Sequence, residues 1–355
     1  MSAVGAGGHS VRSGRPGPGR DLVSERSPET GPRRTDLHPD VEAMLAALDA
    51  GFPDVTQHDP AELRDIIRAR RAPLARQPDM ATARDLTIDG PGGDLRLRVF
   101  VPHSPTGDSD PTLPVVVFAH GGGFVFCDLD SHDEFCRSMA QAVGVVVVAV
   151  DYRLAPEHRA PAAMEDVYRA LCWTAEHIEE FGGDPDRIAL AGDSAGGNLA
   201  ATVSLAARDR GGPAVVAQVL LYPVIDDDLD TESYRRFGVG YYNTTAAMRW
   251  YWDQYAPEGR DSALVIPTNA ASLTGLPPAV VATAELDPPC SAGEDYAKRL
   301  ESAGVPVIAH RFDGLFHGFL TFPQLSLTPP AREEVWRMMR EILGRESDET
   351  IWSAK

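Results

Sequence analysis

The sequence has few cysteines and no long apolar run. Cys127, Cys136, Cys172 and Cys290 form no C-x-x-C pair and no zinc-like spacing with the ten histidines, so we expect buried free thiols and no metal centre. No run of about 18 apolar residues occurs, which argues against a membrane-spanning helix. The first residues lack the basic and apolar regions of a secretory signal, so a cytoplasmic location is expected.

Positive charge is also scarce. Lys and Arg together number 33 against 52 Asp and Glu, which gives a formal net charge of −19. Nucleic acids and anionic membranes require clustered cationic side chains, so neither is expected as a partner. With 43% hydrophobic and 24% charged residues, the 355-residue chain has the composition of a globular protein with a sizeable core.

The two ends of the chain differ from its centre. Residues 1–36 contain no aromatic residue and are rich in Gly, Pro, Ser and Arg, which predicts a disordered arm. Residues 346–355 are predicted to form a short tail. Residues 37–76 contain two amphipathic helical patterns, the second with Asp59 as its cap and Pro60 as its first residue. Because these helices precede the sheet, we predict that they form part of a lid.

Residues 77–345 alternate between strand and helix patterns, which predicts an α/β fold with a mostly parallel, eight-stranded, doubly wound sheet. A β-hairpin leads into the sheet, and several later strands are continuous Val, Ile and Leu runs, as in strands covered by helices on both faces. An aromatic-rich helical stretch at about 226–260 interrupts the alternation and is predicted to be an inserted lid segment. The strand patterns are residues 86–89, 95–101, 115–118, 145–150, 188–191, 215–221, 280–283 and 305–311.

The stretch L-A-G-D-S-A-G-G-N-L-A contains a serine surrounded by small residues. Ser194 has Gly192 and Gly196 two positions away on either side, directly between an apolar strand pattern and a helical pattern. This is the G-x-S-x-G context in which a nucleophilic serine lies on a sharp strand-to-helix turn. The unpaired N–H groups of the helix N-terminus favour negative charge there, so Ala195 N–H is predicted to be an oxyanion donor.

Consecutive glycines follow the third strand pattern in F-A-H-G-G-G-F. Successive glycine amides can point into one cavity while a substrate carbonyl approaches the backbone closely. The N–H groups of Gly122 and Gly123 are therefore predicted to be further oxyanion donors. His120 is interpreted as a residue that braces this loop.

A nucleophilic serine requires a histidine base and a carboxylate, and the chain order Ser, acid, His indicates where to look. Asp287 and His317 follow the last two strand patterns and are expected at the same sheet edge as Ser194. Alternatives exist for both roles. His310 lies within the last strand pattern, and the other candidate acids are Glu285, Asp295 and Asp313.

Together the motifs resemble the hormone-sensitive lipase family of α/β-hydrolase esterases. The resemblance covers about residues 78–345 and includes H-G-G-G, D-Y-R-L-A-P-E-H, G-D-S-A-G-G, a D-P turn and H-G-F, in that order. It implies a Ser194, Asp287 and His317 triad, an oxyanion hole of Gly122, Gly123 and Ala195, and a lid of two segments. The Y-R-L-A-P-E block is interpreted as bracing the glycine loop. Homodimers are frequent in the family.

The expected activity is hydrolysis of small carboxylic esters with short to medium acyl chains through an acyl-enzyme, without a metal or organic cofactor. An amidase, deacetylase or peptidase using the same triad is a second hypothesis. A ligand-binding receptor is a third, although such receptors in the family lack the histidine that is present here. Candidate residues of the substrate pocket are Phe124, Tyr241, Tyr242, Trp250 and Phe316.

Overall fold

A single mixed sheet of eight strands forms the centre of the protein. The computed structural model describes residues 37–70, 77–103 and 112–344. The strand order is β1-β2-β4-β3-β5-β6-β7-β8, with β1 and β2 antiparallel to their neighbours and all later pairs parallel. The predicted sheet is confirmed. The predicted arm 1–36, the tail 346–355 and residues 71–76 of the first predicted lid segment lie outside the described residues.

All eight predicted strands are present, most of them longer than the apolar patterns because ladder pairing continues into polar residues. The strands are Thr82–Gly90 (β1), Gly93–Val101 (β2), Leu113–Ala119 (β3), Val146–Val150 (β4), Gly183–Asp193 (β5), Ala217–Leu221 (β6), Ala279–Leu286 (β7) and Val307–Phe316 (β8). The α-helices are Pro39–Gly51 (α1), Pro60–Arg70 (α2), Asp133–Met139 (α3), Ala162–His177 (α4), Ala195–Arg210 (α5), Glu232–Phe237 (α6), Thr245–Tyr255 (α7), Cys290–Ser302 (α8) and Thr328–Ile342 (α9).

The sheet separates two hydrophobic clusters. In β3, Val115 and Val117 belong to one cluster, whereas Val116 and Phe118 belong to the other, because successive side chains point to opposite faces of a strand. Side chains of α4, α5 and α8 cover the first face, and those of α1, α3 and α9 cover the second. This double coverage explains why the central strands are apolar throughout.

Two helical segments lie next to each other outside the sheet. Helix α7, from the segment between β6 and β7, contacts a 3-10 turn at Val55–Gln57, which lies between α1 and α2. Asp59 accepts a hydrogen bond from Ala61 N–H at 2.9 Å, which agrees with its predicted capping position. Among the described helices, none is both long and apolar enough to span a bilayer.

Within the described part of the chain, the four cysteines form no disulfide, as predicted. Cys136 and Cys290 are buried, whereas Cys127 and Cys172 are only partly buried, so the prediction of buried thiols is wrong for these two.

Candidate active site

Ser194 occupies a strained turn between β5 and α5. Its φ of 55° and ψ of −115° lie outside the regions that side-chain-bearing residues usually adopt. The turn is compact, since a Cβ at Gly192 would overlap the carbonyl oxygen of Gly196, and one at Gly196 would overlap that of Ala119. The small residues of G-D-S-A-G therefore allow the helix to fold back against the sheet.

The structure brings the predicted serine, histidine and aspartate together. His317 Nε2 lies 2.8 Å from Ser194 Oγ, and His317 Nδ1 lies 2.7 Å from Asp287 Oδ2. Asp287 directly follows β7 and His317 directly follows β8, and these strands are parallel neighbours. Carboxyl ends of parallel strands meet at one sheet edge, which accounts for the convergence.

The alternative candidates lie elsewhere. His310 is an exposed residue within β8, and Asp295 is exposed on α8. Glu285 accepts a hydrogen bond from Gly314 N–H, and Asp313 accepts one from Arg311.

Burial determines the electrostatics of the aspartate. Asp287 is only 1% exposed, and this desolvation raises the pKa of its carboxyl group above the ordinary value, while the neighbouring His317 opposes the shift. A carboxylate beside Nδ1 favours the tautomer with a proton on that atom. Nε2 is then free to accept the proton of the serine hydroxyl.

The glycine loop faces the same cavity as Ser194. Gly122 and Gly123 both line this cavity and have positive φ angles of 115° and 58°. A Cβ at Gly122 would overlap the carbonyl oxygen of Phe126, so the loop requires glycine there. Ala195 is completely buried as the first residue of α5. Across the described part of the chain, the N–H groups of these three residues donate no backbone hydrogen bond.

The Y-R-L-A-P-E block braces this loop, which confirms its interpretation. Tyr152 donates a hydrogen bond from its hydroxyl to the carbonyl of His120 at 2.7 Å, and its ring stacks on the imidazole with centroids 4.3 Å apart. Ala155 N–H donates to the carbonyl of Phe124 at 2.9 Å. Burial, followed by the charge of His132, lowers the pKa of His120, so its imidazole is neutral at pH 7. A neutral imidazole is consistent with a bracing role.

Asp193 is a site residue that the sequence analysis missed. Its carboxylate accepts a hydrogen bond from Gly121 N–H at 2.7 Å and lies 3.2 Å from His132 Nε2. Burial by itself would raise the pKa of Asp193, but His132 and the Gly121 amide lower it overall. The sequence feature that could have identified Asp193 is its position directly before Ser194. No sequence feature indicated His132.

The cavity above Ser194 has a volume of about 350 Å³. Of the predicted pocket residues, Phe124 and Tyr242 line it. The prediction is wrong for the other three, which pack elsewhere. Tyr241 is buried against Phe237, Trp250 packs edge-on against Tyr251, and Phe316 is completely buried against Tyr242 and Phe322.

Other large side chains take their place. Met248, Tyr251 and Trp252 of α7 line the cavity, and their spacing of three and four residues places them on one helix face. This helical periodicity, rather than the aromatic content of the segment, would have identified the cavity-lining residues of α7. Phe52 from the turn after α1 also lines the cavity, and no sequence pattern indicated it. In the described ranges, no group of three or more His, Cys, Asp and Glu side chains could hold a metal ion.

The fold and this geometry define a class, the α/β hydrolases with a serine at the strand-to-helix turn. A family model described as alpha/beta hydrolase fold matches residues 116–321. The chain is 44% identical over 253 residues to the carboxylic ester hydrolase LipN of Mycobacterium tuberculosis, covering 68% of this chain and 65% of that protein. It is 38% identical over 311 residues to the carboxylesterase NlhH of the same species, covering 84% and 94%.

A solved structure extends the similarity. A thermostable esterase from Pseudomonas putida superposes with a TM-score of 0.80 at 35% identity, covering 87% of this chain and 97% of that one. The chain therefore belongs to the α/β-hydrolase fold family, within the hormone-sensitive lipase group of esterases.

Proposed function

We propose that this protein is a serine carboxylesterase that hydrolyses small esters with short to medium acyl chains. The observation that carries the proposal is the chain of hydrogen bonds from Ser194 through His317 to Asp287 beside the cavity. The named carboxylesterases among its relatives support ester hydrolysis as the reaction class.

In the proposed mechanism, Ser194 Oγ attacks the ester carbonyl while His317 Nε2 takes its proton. Asp287 stabilises the resulting imidazolium through Nδ1. The N–H groups of Gly122, Gly123 and Ala195 stabilise the oxyanion of the tetrahedral intermediate. His317 then protonates the departing alcohol, which leaves an acyl-Ser194 ester. Water, deprotonated by His317, attacks this ester to form a second tetrahedral intermediate, which collapses to the free acid as His317 returns the proton to Ser194 Oγ.

The size and lining of the cavity support small esters. A volume of about 350 Å³ falls at the lower end of typical small-molecule sites, and Phe124, Met248 and Trp252 provide apolar walls. Residues from α1 to the Val55–Gln57 turn and from α7 both contribute to the lining. We therefore propose that these two segments form the lid. A homodimer and a cytoplasmic location stay predictions.

The experiment compares wild-type protein with Ser194→Ala on p-nitrophenyl esters from acetate to palmitate and on a matched p-nitroanilide. We expect turnover to be fastest on acetate to hexanoate, and the substitution to reduce it by at least about 10⁴-fold. A fluorophosphonate should label the wild-type protein alone. Undiminished turnover by Ser194→Ala would reject the assignment of the nucleophile. Preference for palmitate, or for the anilide, would reject the proposed substrate class.

A further inference from the structure

Arg64 of helix α2 contacts the catalytic part of the protein through its whole guanidinium group. Its Nε donates to the carbonyl of Val125 at 2.6 Å, and one terminal nitrogen donates to the carbonyl of Ala155 at 2.6 Å. Both terminal nitrogens donate to the carboxylate of Glu157, at 2.8 and 2.7 Å. The Arg64 side chain is 15% exposed and that of Glu157 is 49% exposed, so the bonds to the two carbonyl groups are partly shielded from water, whereas the ion pair is not.

The two carbonyl groups belong to the loop system that holds the proposed oxyanion donors. The N–H groups of Val125 and Phe126 both donate to the carbonyl of Gly122 at 3.0 Å, which closes the turn that begins at this glycine. Ala155 in turn donates its N–H to the carbonyl of Phe124. Arg64 therefore holds two elements together. It contacts the turn from Gly122 to Phe126 through the carbonyl of Val125, and the Y-R-L-A-P-E block through the carbonyl of Ala155.

The segment that supplies Arg64 also contributes to the substrate cavity. Phe52 and Val55, which precede α2, line the cavity, and the ring of Phe52 lies 6.2 Å from that of Phe126. Apolar contact alone would let this segment slide, whereas a planar guanidinium with fixed donors defines one docking geometry. The hydrogen bond from Arg64 also lowers the pKa of Glu157 to about 2.

We propose that Arg64 is a positioning residue that holds the Gly122 to Phe126 turn in the geometry required for oxyanion binding, and so makes turnover depend on docking of the N-terminal helical segment. The inference rests on the proposed esterase function. Oxyanion donors are effective only when they are preorganised, because a small displacement weakens transition-state stabilisation more than substrate binding.

The test uses Arg64→Met, with Arg68→Met as the matched control. Arg68 lies on the same helix, is 53% exposed and pairs with the exposed Asp65. The measurements are kcat and KM on p-nitrophenyl butyrate, and the inhibition constants of an alkyl trifluoromethyl ketone and of the methyl ketone of equal length. The trifluoromethyl ketone forms a hemiketal oxyanion with the serine, whereas the methyl ketone remains a carbonyl. Fluorophosphonate titration counts competent active sites.

For Arg64→Met we expect kcat to fall about tenfold with KM changed less than threefold. The inhibition constant of the trifluoromethyl ketone should rise about tenfold, and that of the methyl ketone should change less than twofold. Arg64→Lys should restore part of kcat, because an ammonium can reach one carbonyl but cannot reproduce the planar set of donors. Arg68→Met should match wild type in all four quantities.

If kcat per titrated site in Arg64→Met equals that of the wild-type protein, the inference is overturned. It is also overturned if the inhibition constants of the two ketones rise by the same factor. If Arg64→Met cannot be purified folded, Arg64→Lys decides, and unchanged affinity for the trifluoromethyl ketone in that variant rejects the proposal. If the wild-type protein neither hydrolyses the ester nor binds the trifluoromethyl ketone, the proposed esterase function fails first. If the wild-type protein is active and the Arg64 substitutions leave kcat, KM and both inhibition constants unchanged, only the positioning role is rejected.

Discussion

The carboxylate of Asp193 lies 2.7 Å from the amide nitrogen of Gly121, and this hydrogen bond joins the nucleophile turn to the glycine loop. Asp193 precedes Ser194, and Gly121 precedes Gly122, so the bond fixes the distance between the attacking hydroxyl and the proposed oxyanion donors. The two loops follow β5 and β3, which are parallel neighbours in the sheet. A buried carboxylate thus connects the two halves of the site.

Replacement of Asp193 by Asn should make stability less dependent on pH. The pKa of Asp193 is lowered from 3.8, so its carboxylate stabilises the fold above this value, and that contribution is lost as the pH falls through the folded-state pKa. At pH 7 we expect Asp193→Asn to reduce the free energy of unfolding by about 1.5–3 kcal/mol. Urea unfolding from pH 3 to 8 measures the difference, which should shrink at the acidic end. A constant difference across this range would contradict the account.

Replacement of Asp287 by Asn should reduce kcat by about 10³- to 10⁴-fold with little change in KM, because an amide beside Nδ1 favours the wrong imidazole tautomer. Steady-state kinetics on p-nitrophenyl butyrate checks the result. Asp295→Asn is the control, since Asp295 is exposed and pairs only with exposed Lys298 among the ion pairs of the described chain. An equal loss in both variants would reject the role proposed for Asp287.

Replacement of Gly122 by Ala should reduce kcat by at least about 100-fold, because the new Cβ would overlap the carbonyl of Phe126 and displace a proposed oxyanion donor. Gly93→Ala is a matched control. Gly93 has the same φ of 115°, but its Cβ would have no neighbour within 4 Å. Both variants should lose stability through backbone strain, measured by thermal unfolding, and only Gly122→Ala should lose turnover. Comparable kcat in the two variants would contradict this prediction.

Arg332 of α9 forms a bidentate ion pair with Glu134 of α3 at 2.7 and 2.8 Å, and their side chains are 9% and 15% exposed. Arg332→Met leaves the Glu134 carboxylate, which is shielded from water, with the Ser138 hydroxyl as a donor but without its cationic partner. We therefore expect the free energy of unfolding to fall by about 3–5 kcal/mol. Arg337→Met, which breaks exposed pairs with Glu334 and Glu341, should cost less than about 1 kcal/mol. Urea unfolding at pH 7 distinguishes the two, and equal losses would show that shielding does not determine the cost.

The sheet and the serine, aspartate and histidine positions could be predicted because local patterns report them. Continuous apolar runs marked the covered strands, and the chain order placed Asp287 and His317 after the last two of them. The pocket was predicted less well. Tyr241 and Trp250 lie beside cavity residues in sequence but point elsewhere. For Trp250 in α7 the reason is that a helix turns each successive residue by about 100°. Tyr241 precedes this helix, in a bend whose side-chain directions follow no simple repeat.

The sequence by itself determined where the backbone could turn sharply. Glycines at 122, 192 and 196 permit conformations and close approaches that a Cβ would block, and this restriction is local. Only the tertiary structure decided which distant groups meet: Asp193 with Gly121, Phe52 with the cavity, and Arg64 with the carbonyls of Val125 and Ala155. These contacts depend on how whole helices pack against the sheet, and no short stretch of residues encodes that arrangement.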